Sequence, residues 1–405
     1  MSLTEVPHVS GPLGEKPLVA AEVADAFTLP SSWYTRADIF QAERQRVFGA
    51  SWQLVAHATA LANPGDYVTV NLVREPLLLV RGEDGRLRAF YNVCRHRAGP
   101  VALGSGCRGG FQCAYHGWTY GLDGRLRQAR EIEGTRHFDP AELGLVPVAV
   151  AVWGPLVFVN LDPAAPPLDA VMAPIGQEMR AAGFDLARVA PRVRRDYELQ
   201  CNWKVYVDNY LEGYHIPIVH PGLFRELDYA RYQVEPRGHY SKQFSPTRSA
   251  GTGAAQSGYG RYDVGTEALY YWIWPNLMLN IYPDNVSTNV ILPVGVDRTV
   301  TIFEWFFQPG TDEAAVRDTV AFSDEVQQED IVICEHVARG LQSASYDRGR
   351  FVAARENGVH HFHRLMAEAL SAERQPGGGD GRLPEGTPGG FLDDADAQAE
   401  GTVSR

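Results

Sequence analysis

Two short residue pairs constrain this chain more than anything else in it. Cys94 and His96 form a C-x-H pair, and Cys113 and His116 form a C-x-x-H pair, with sixteen residues between them. Each pair follows a strand-like run and precedes Gly or Pro, so each falls where a hairpin tip is expected. Two such tips present one sulfur and one nitrogen each to a shared centre. Thiolates mixed with imidazoles narrow a bound metal to zinc or an iron–sulfur cluster.

The surrounding sequence predicts a small antiparallel β domain over residues 51–162. "DYVTVNLV", "EPLLLVRG", "EDGRLRAFYNV" and "LDGRLRQA" are short β-rich runs, and the two Asp-Gly pairs are strong hairpin cues. The stretch 143–161, "LGLVPVAVAVWGPLVFVNL", carries no charge, yet Pro147, Gly154 and Pro155 interrupt it. Its valines predict two buried strands joined at "WGP" rather than a membrane span. Upstream, residues 33–50 space apolar side chains as an amphipathic helix would. Residues 1–50 are expected to pack on a second domain spanning 163–375. That domain should hold a helix at "APIGQEMRAAGF", a strand through "RVRRDYELQCNWKVYV" and a helix at "VDNYLEGYH". A sheet-forming block over 270–309 and a long helix over roughly 311–341 follow. The tail 376–405 is poor in core-forming residues and is expected to be disordered.

Four uses of the Cys/His stretch compete. A Cys94–Cys113 disulfide leaves both histidines unexplained. "GSGCRG" (104–109) matches G-x-G-x-x-G, but no helix-forming sequence follows, so a dinucleotide site fails on context. Structural zinc sites usually keep two like ligands two to four residues apart. The remaining arrangement is a Rieske [2Fe–2S] cluster, in which two histidines replace two cysteines on one iron. The run C-R-H-R…C-x-Y-H-G-W-x-Y resembles the Rieske domain of the ring-hydroxylating oxygenase α subunits. The resemblance implies that Cys94 and Cys113 hold one iron, that His96 and His116 hold the other, and that Trp118 shields the cluster. Cys107 falls outside the ligand pattern and reads as a loop thiol. Imidazoles in place of thiolates reduce the cluster's negative charge and raise its potential.

A second set of residues lies in "CNWKVYVDNYLEGYHIPIVHPGL" (201–223). Glu212 and His215 are three apart and would share a helix face. Pro217 disfavours helix at Ile216, so a bend before His220 should let His215 and His220 converge on one ion. Asp330, inside the helical pattern "DEVQQEDIVICEHVARGL", is the expected third ligand, with Glu329 and Asp324 fitting better as helix-surface charges. Two histidines and one carboxylate make the facial triad of non-haem Fe(II) enzymes. The resemblance extends here through N-W-K…D-N-Y-L-E-G-Y-H-x-P-x-x-H-P and Q-x-E-D-x-x-x-x-E. It implies that Glu212, where many members have Asp, bridges the cluster of one subunit to the iron of its neighbour. Asp208 is the next candidate for that bridge, and Asn209 and Tyr214 are expected to orient the ligands.

The resemblance further implies an α+β fold: a Rieske antiparallel β domain joined to a helix-grip domain, an antiparallel sheet with helices. It implies a terminal oxygenase that uses O₂ and external electrons to hydroxylate or demethylate a small molecule. Its expected partners are a separate NAD(P)H-dependent reductase, with or without a ferredoxin, and two more copies in a head-to-tail homotrimer. A formal charge of −12 argues against a nucleic-acid surface and leaves room for an acidic docking face. Five thinly spread cysteines and an N-terminus without a signal-peptide pattern suit a cytoplasmic protein with no membrane partner.

Tyr270, Tyr271, Trp272, Trp274, Tyr282 and Trp305 leave two readings open, pocket wall or sheet core. "WPNLMLNIYPDNVSTNVILPVG" and "CNWKVYVDNYL" are similar to choline monooxygenase-like members of the family. Aromatic faces would hold a trimethylammonium group by cation–π attraction; an aromatic-ring substrate, as in hydrocarbon catabolism, is the other class. Outside enzymes, the alternative is an electron carrier or a structural metal-binding protein without oxygenase activity.

Overall fold

A computed structural model describes residues 19–248 and 267–371; the tail expected to be disordered lies outside them. Between residues 51 and 162 the strands are β1 (Gln53–His57), β2 (Asp66–Leu72), β3 (Glu75–Arg81), β4 (Leu87–Tyr91), β5 (Ser105–Cys107), β6 (Phe111–Gln112), β7 (Thr119–Tyr120), β8 (Leu126–Gln128), β9 (Pro147–Trp153) and β10 (Leu156–Asn160). One sheet runs β1-β10-β9-β4-β3-β2-β5, and β6-β7-β8 forms a second, small one. Both Asp-Gly pairs make the turns expected of them, between β3 and β4 and between β7 and β8. Gly85 and Gly124 take φ of 75° and 79°, values that a side chain resists. The "WGP" turn joins β9 to β10. Only β10 is buried throughout, whereas β9 shows several residues to solvent.

The helix expected over 33–50 is broken into α1 (Ser32–Thr35), α2 (Ala37–Arg46) and a 3₁₀ turn at Phe48–Ala50. Arg36 is extended at the break, and its Nε pairs with Asp38 Oδ1 at 2.9 Å. This leaves Trp33 and Tyr34 buried.

The rest of the described chain comprises α3 (Asp169–Ala181), β11 (Ala190–Leu199), α4 (Trp203–Tyr210), α5 (Ile216–Val219), α6 (Pro221–Glu226), β12 (Gln233–Arg237), β13 (Tyr240–Pro246), β14 (Glu267–Ile273), β15 (Leu277–Tyr282), β16 (Asn285–Pro293), β17 (Thr299–Phe307), α7 (Glu313–Gly340) and α8 (Asn357–Ser371), with short 3₁₀ turns between. Its sheet runs β11-β17-β16-β15-β14-β13-β12, with every neighbouring pair antiparallel. The strand expected to continue through "NWKVYV" stops at Leu199. Asn202 Oδ1 accepts the Lys204 backbone N–H at 3.1 Å and caps α4, the role that short polar side chains favour at a helix start. No helix among the described residues is long and apolar enough to cross a membrane.

One apolar core joins both sheets: Leu77, Leu79, Val157 and Val159 belong to the same buried cluster as Trp203, Trp272 and Phe362. Gly358 of α8 approaches the end of α4 so closely that a Cβ there would lie 2.3 Å from the Leu211 carbonyl oxygen. Inside this core Lys204 and Glu43 are both fully buried, Nζ to Oε1 2.5 Å, and Trp203 Nε1 donates to Glu43 Oε2 at 2.8 Å. Burial pushes the Lys204 ammonium below its ordinary pKa, against the opposing pull of Glu43. Lys204→Met leaves Glu43 as an unpaired buried charge and should lower stability by about 3–5 kcal/mol. Denaturant unfolding measures this, and adding Glu43→Leu should recover most of the loss.

Candidate active site

The segment leading to the histidines is not helical as the sequence suggested. The α4 helix ends at Tyr210, so Glu212 and His215 share a loop rather than a helix face. The Glu212 carboxylate gathers that loop: it accepts the backbone N–H groups of Tyr214 and His215, the latter at 3.1 Å, and bonds His215 Nδ1. Ile216, where Pro217 is expected to disfavour helix, instead starts α5. Pro217 sits in the first turn of α5, where its missing N–H is tolerated. The bend comes at His220 itself (φ −119°, ψ 72°), between α5 and α6. His215 and His220 therefore bracket a four-residue helix, and their rings converge at 5.0 Å between centroids.

Asp330 arrives from the buried side of α7. Its Oδ1 lies 3.0 Å from His220 Nε2 and 3.9 Å from His215 Nε2. One donor atom from each of the three residues lies within 4.8 Å of the others. Glu329 is not a helix-surface charge: its Oε2 accepts from His220 Nδ1 at 2.7 Å. Asp324 is committed too, accepting from Tyr197 at 2.7 Å and pairing with Arg195 at 2.7 Å. With each Nδ1 engaged by a glutamate, both Nε2 atoms are turned to the shared point, the usual way a protein fixes a metal-binding imidazole. Burial lowers the His220 pKa, but Asp330 and Glu329 together raise it on balance. Two imidazoles and a carboxylate, in a site with two further carboxylates, match the donor set of a non-haem ferrous ion.

The other expected residues divide. Asp208 turns away from this point; its carboxylate accepts from Tyr34 at 2.7 Å and pairs with His363 Nε2 at 2.9 Å. Asn209 lines the cavity beside the triad, while the Tyr214 side chain is half exposed and the residue donates only its backbone N–H to Glu212. The cavity measures about 110 Å³. The aromatic patch splits by strand parity and by position. Tyr270, Tyr282 and Trp305 wall the cavity. Tyr271, on the opposite face of β14, bonds Glu178 at 2.9 Å, and Trp272 and Trp274 pack on Phe362. Sequence reasoning misplaced Glu329 as a surface charge and missed the inward polar row Asn285, Ser287 and Asn289 of β16. The alternation of that row was the available signal.

The Cys/His loops repeat one backbone device. Four residues after each cysteine, Ala98 (φ 59°) and Gly117 (φ 74°) adopt left-handed backbone. Their N–H groups bond the Cys94 and Cys113 carbonyls at 3.0 and 2.9 Å. Cys94 and Cys113 are buried, whereas His96 and His116 face solvent with ring centroids 4.5 Å apart. Trp118 is buried and stacks on His96 at 5.0 Å and 10°. The Tyr120 hydroxyl lies 3.2 Å from Cys94 Sγ and accepts the Arg95 N–H at 2.9 Å. Local desolvation, with His96 and Arg97 beside it, lowers the His116 pKa from its ordinary value. None of the five cysteines forms a disulfide, and Cys107 is exposed. Two buried sulfurs with two adjacent imidazoles fit a Rieske cluster.

Comparison with known proteins agrees with both sites. Residues 51–139 match the family model "Rieske [2Fe-2S] domain", and residues 186–372 match "Ring hydroxylating alpha subunit (catalytic domain)". This pairing defines a Rieske-type oxygenase, with a [2Fe–2S] cluster and a mononuclear iron at His215, His220 and Asp330. Chloroplastic choline monooxygenase of Arabidopsis thaliana is 37% identical over 357 residues, covering 85% of this chain and 83% of the relative. The carnitine monooxygenase oxygenase subunit of Escherichia coli K12 is 34% identical over 366 residues, covering 86% and 96%. A solved quaternary ammonium Rieske monooxygenase superposes with a TM-score of 0.78 at 30% identity, covering 87% of this chain and 98% of that one. The chain belongs to the ring-hydroxylating oxygenase α-subunit family.

A hydrogen bond to a cluster thiolate favours the more negative, reduced state. Tyr120→Phe should therefore lower the cluster potential by about 60 mV, the one-electron equivalent of one hydrogen bond. Redox titration of the visible spectrum checks this.

Proposed function

We propose that the chain is a terminal monooxygenase for a quaternary ammonium compound. The observation that carries this reading is the cavity beside His215, His220 and Asp330. Tyr270, Tyr282 and Trp305 offer aromatic faces there, Glu212 and Asp330 supply negative charge, and no Lys or Arg lines it among the described residues. Such walls attract a cation through ring quadrupoles and carboxylates. The relatives named for choline and carnitine oxidation support the same substrate class, and none of them supports an aromatic hydrocarbon.

In this reading Cys94, Cys113, His96 and His116 hold the cluster under the cover of Trp118. Residues 51–162 form the electron-transfer domain, 163–375 the catalytic domain, and 1–50 a brace on the latter. The cluster supplies single electrons, and the iron supplies the place where O₂ is activated. Glu212 orients His215 and connects the iron to the cluster of a neighbouring subunit in a homotrimer; Asp208 supports it from α4 through Tyr34 and His363. Asn209 and the aromatic walls position the substrate and exclude water from it. Electrons come from a separate NAD(P)H-dependent reductase, and the setting is the cytoplasm.

The protein purified anaerobically should hold about three irons and two sulfides per chain, and O₂ uptake should depend on added choline or carnitine. His215→Ala should lose one iron and keep the red-brown spectrum. Two irons in the unaltered protein, with no ammonium-dependent uptake, would instead indicate a bare electron carrier. Glu212→Gln should keep every iron and still accept electrons, while turnover falls about 100-fold. Surviving turnover would move the inter-site connection to Asp208.

A further inference from the structure

Two hairpins of the cluster domain carry the same seven-residue pattern, G-x-D-G-R-L-R, at 82–88 and 121–127. They also fold alike. Each aspartate accepts the backbone N–H two residues on, Arg86 to Asp84 at 3.1 Å and Arg125 to Asp123 at 3.2 Å. The second arginine of each folds back onto that aspartate: Arg88 bonds both oxygens of Asp84 at 2.7 Å, and Arg127 bonds Asp123 at 2.8 Å. The turn thus uses its aspartate, its glycines and its second arginine. It does not use the first. Arg86 and Arg125 are both exposed, and the Arg125 side chain, 82% exposed, comes no nearer to Asp123 than 3.9 Å.

The two tips lie together. Gly124 presses on Phe90 of β4, where a Cβ would stand 2.4 Å from the ring, and Phe90 follows Arg88 by two residues on the same face of that strand. Phe90, Leu122 and Leu126 belong to the buried cluster that also holds Cys94, Cys113 and Tyr120. Tyr120, whose hydroxyl lies 3.2 Å from Cys94 Sγ, is the residue before Gly121. The arginine-bearing face therefore backs onto the sulfur side of the cluster site, away from the bare imidazoles. Its charge is opposite to the chain's. Residues 82–130 hold eight arginines and three acids, in a chain of formal charge −12. Two of those acids, Asp84 and Asp123, are already committed inside the turns.

We propose that the paired hairpin tips dock the acidic surface of an iron–sulfur electron donor protein, so that electrons enter the cluster from its cysteine side. The proposal rests on the reading above that electrons come from a separate protein, and it gives that protein a place and a charge. The bare imidazoles are left to the iron of the neighbouring subunit, so donor and neighbour do not compete for one face. The step is a single electron passing from the donor's reduced cluster to the oxidised Rieske cluster, with no bond made or broken. An outward arginine at each tip attracts an acidic partner and orients it, which acts chiefly on the rate of encounter.

The test uses the holoenzyme and a plant-type [2Fe–2S] ferredoxin, an acidic one-electron carrier of lower potential than a Rieske centre. Calorimetry reads binding of the oxidised ferredoxin, and stopped-flow absorbance reads reduction of the cluster by the reduced form. In the unaltered protein both should weaken as salt rises from about 0.01 to 1 M. Arg86→Glu combined with Arg125→Glu should weaken binding and slow reduction about tenfold at low salt, and lysine at both positions should restore most of the loss. Dithionite should bring the variant to the same final spectrum as the unaltered protein, which shows that the cluster is intact. Unchanged ferredoxin binding and reduction in the variant overturns the proposal. So does a change in oligomer size on sedimentation, which would assign the face to a second copy of this chain. If the unaltered protein is reduced by dithionite but not by ferredoxin, the acidic donor is rejected while the cluster reading stands; absence of a Rieske spectrum removes both. The salt series on the unaltered protein needs no substitution, and a rate indifferent to salt sinks the proposal even if the variant does not fold.

Discussion

Everything at the iron site depends on how helix α4 is held, because the loop carrying Glu212 and His215 begins where that helix stops. Its polar side chains each bond a different part of the molecule. Lys204 reaches Glu43 on α2, and Tyr206 donates to Gln327 on α7. Asp208 takes Tyr34 from α1 and His363 from α8, and Tyr210 donates to Asn280 on β15. A helix of eight residues has little stability of its own. These bonds make it a fixed post, and the loop inherits its position. Because Gln327 stands one turn before Asp330 on α7, the Tyr206 bond also sets the distance between the histidines and their carboxylate partner.

The two metal-binding sets solve opposite problems. The Cys/His set is local: both loops use the same left-handed residue four positions after the cysteine, and the β6-β7-β8 sheet supports one of them directly. Its sulfurs are buried and its imidazoles bare, so one side of the cluster is insulated and the other is open to a partner. The iron set is remote in sequence and nearly closed, with His220 buried and Asp330 almost so. It opens to a cavity rather than to a protein surface, which suits a site that must admit a small molecule and exclude bulk water.

Much of this was legible in the residues. The Cys/His spacing, the two histidines and Asp330 are fixed by chemistry that tolerates few substitutes, and the Asp-Gly turns announce the small sheet. The failures have physical causes. In "NWKVYV" the alternating apolar residues mimic a strand, and the helix is decided by the Asn202 cap and by burial of Trp203 and Lys204 against α2, a tertiary effect. Glu212 at i and His215 at i+3 fit a helix, but the glutamate spends its oxygens on the loop backbone instead. Glu329 looked like a surface charge because the rotation of α7 about its axis is set by the whole sheet beneath it.

The bracing of α4 by α1, α2 and α8 also bears on how the protein comes into being. The cluster donors lie between residues 94 and 116, and the sheet around them is complete in sequence when β10 ends at Asn160. The iron donors are complete only at Asp330, and the post behind them is clamped only when His363 has been added. Domains emerge from the ribosome in order, so the two cofactor sites become whole at different moments of synthesis. The sulfur-rich one is ready while most of the chain is still unmade, and the ferrous one waits for the last helix among the described residues.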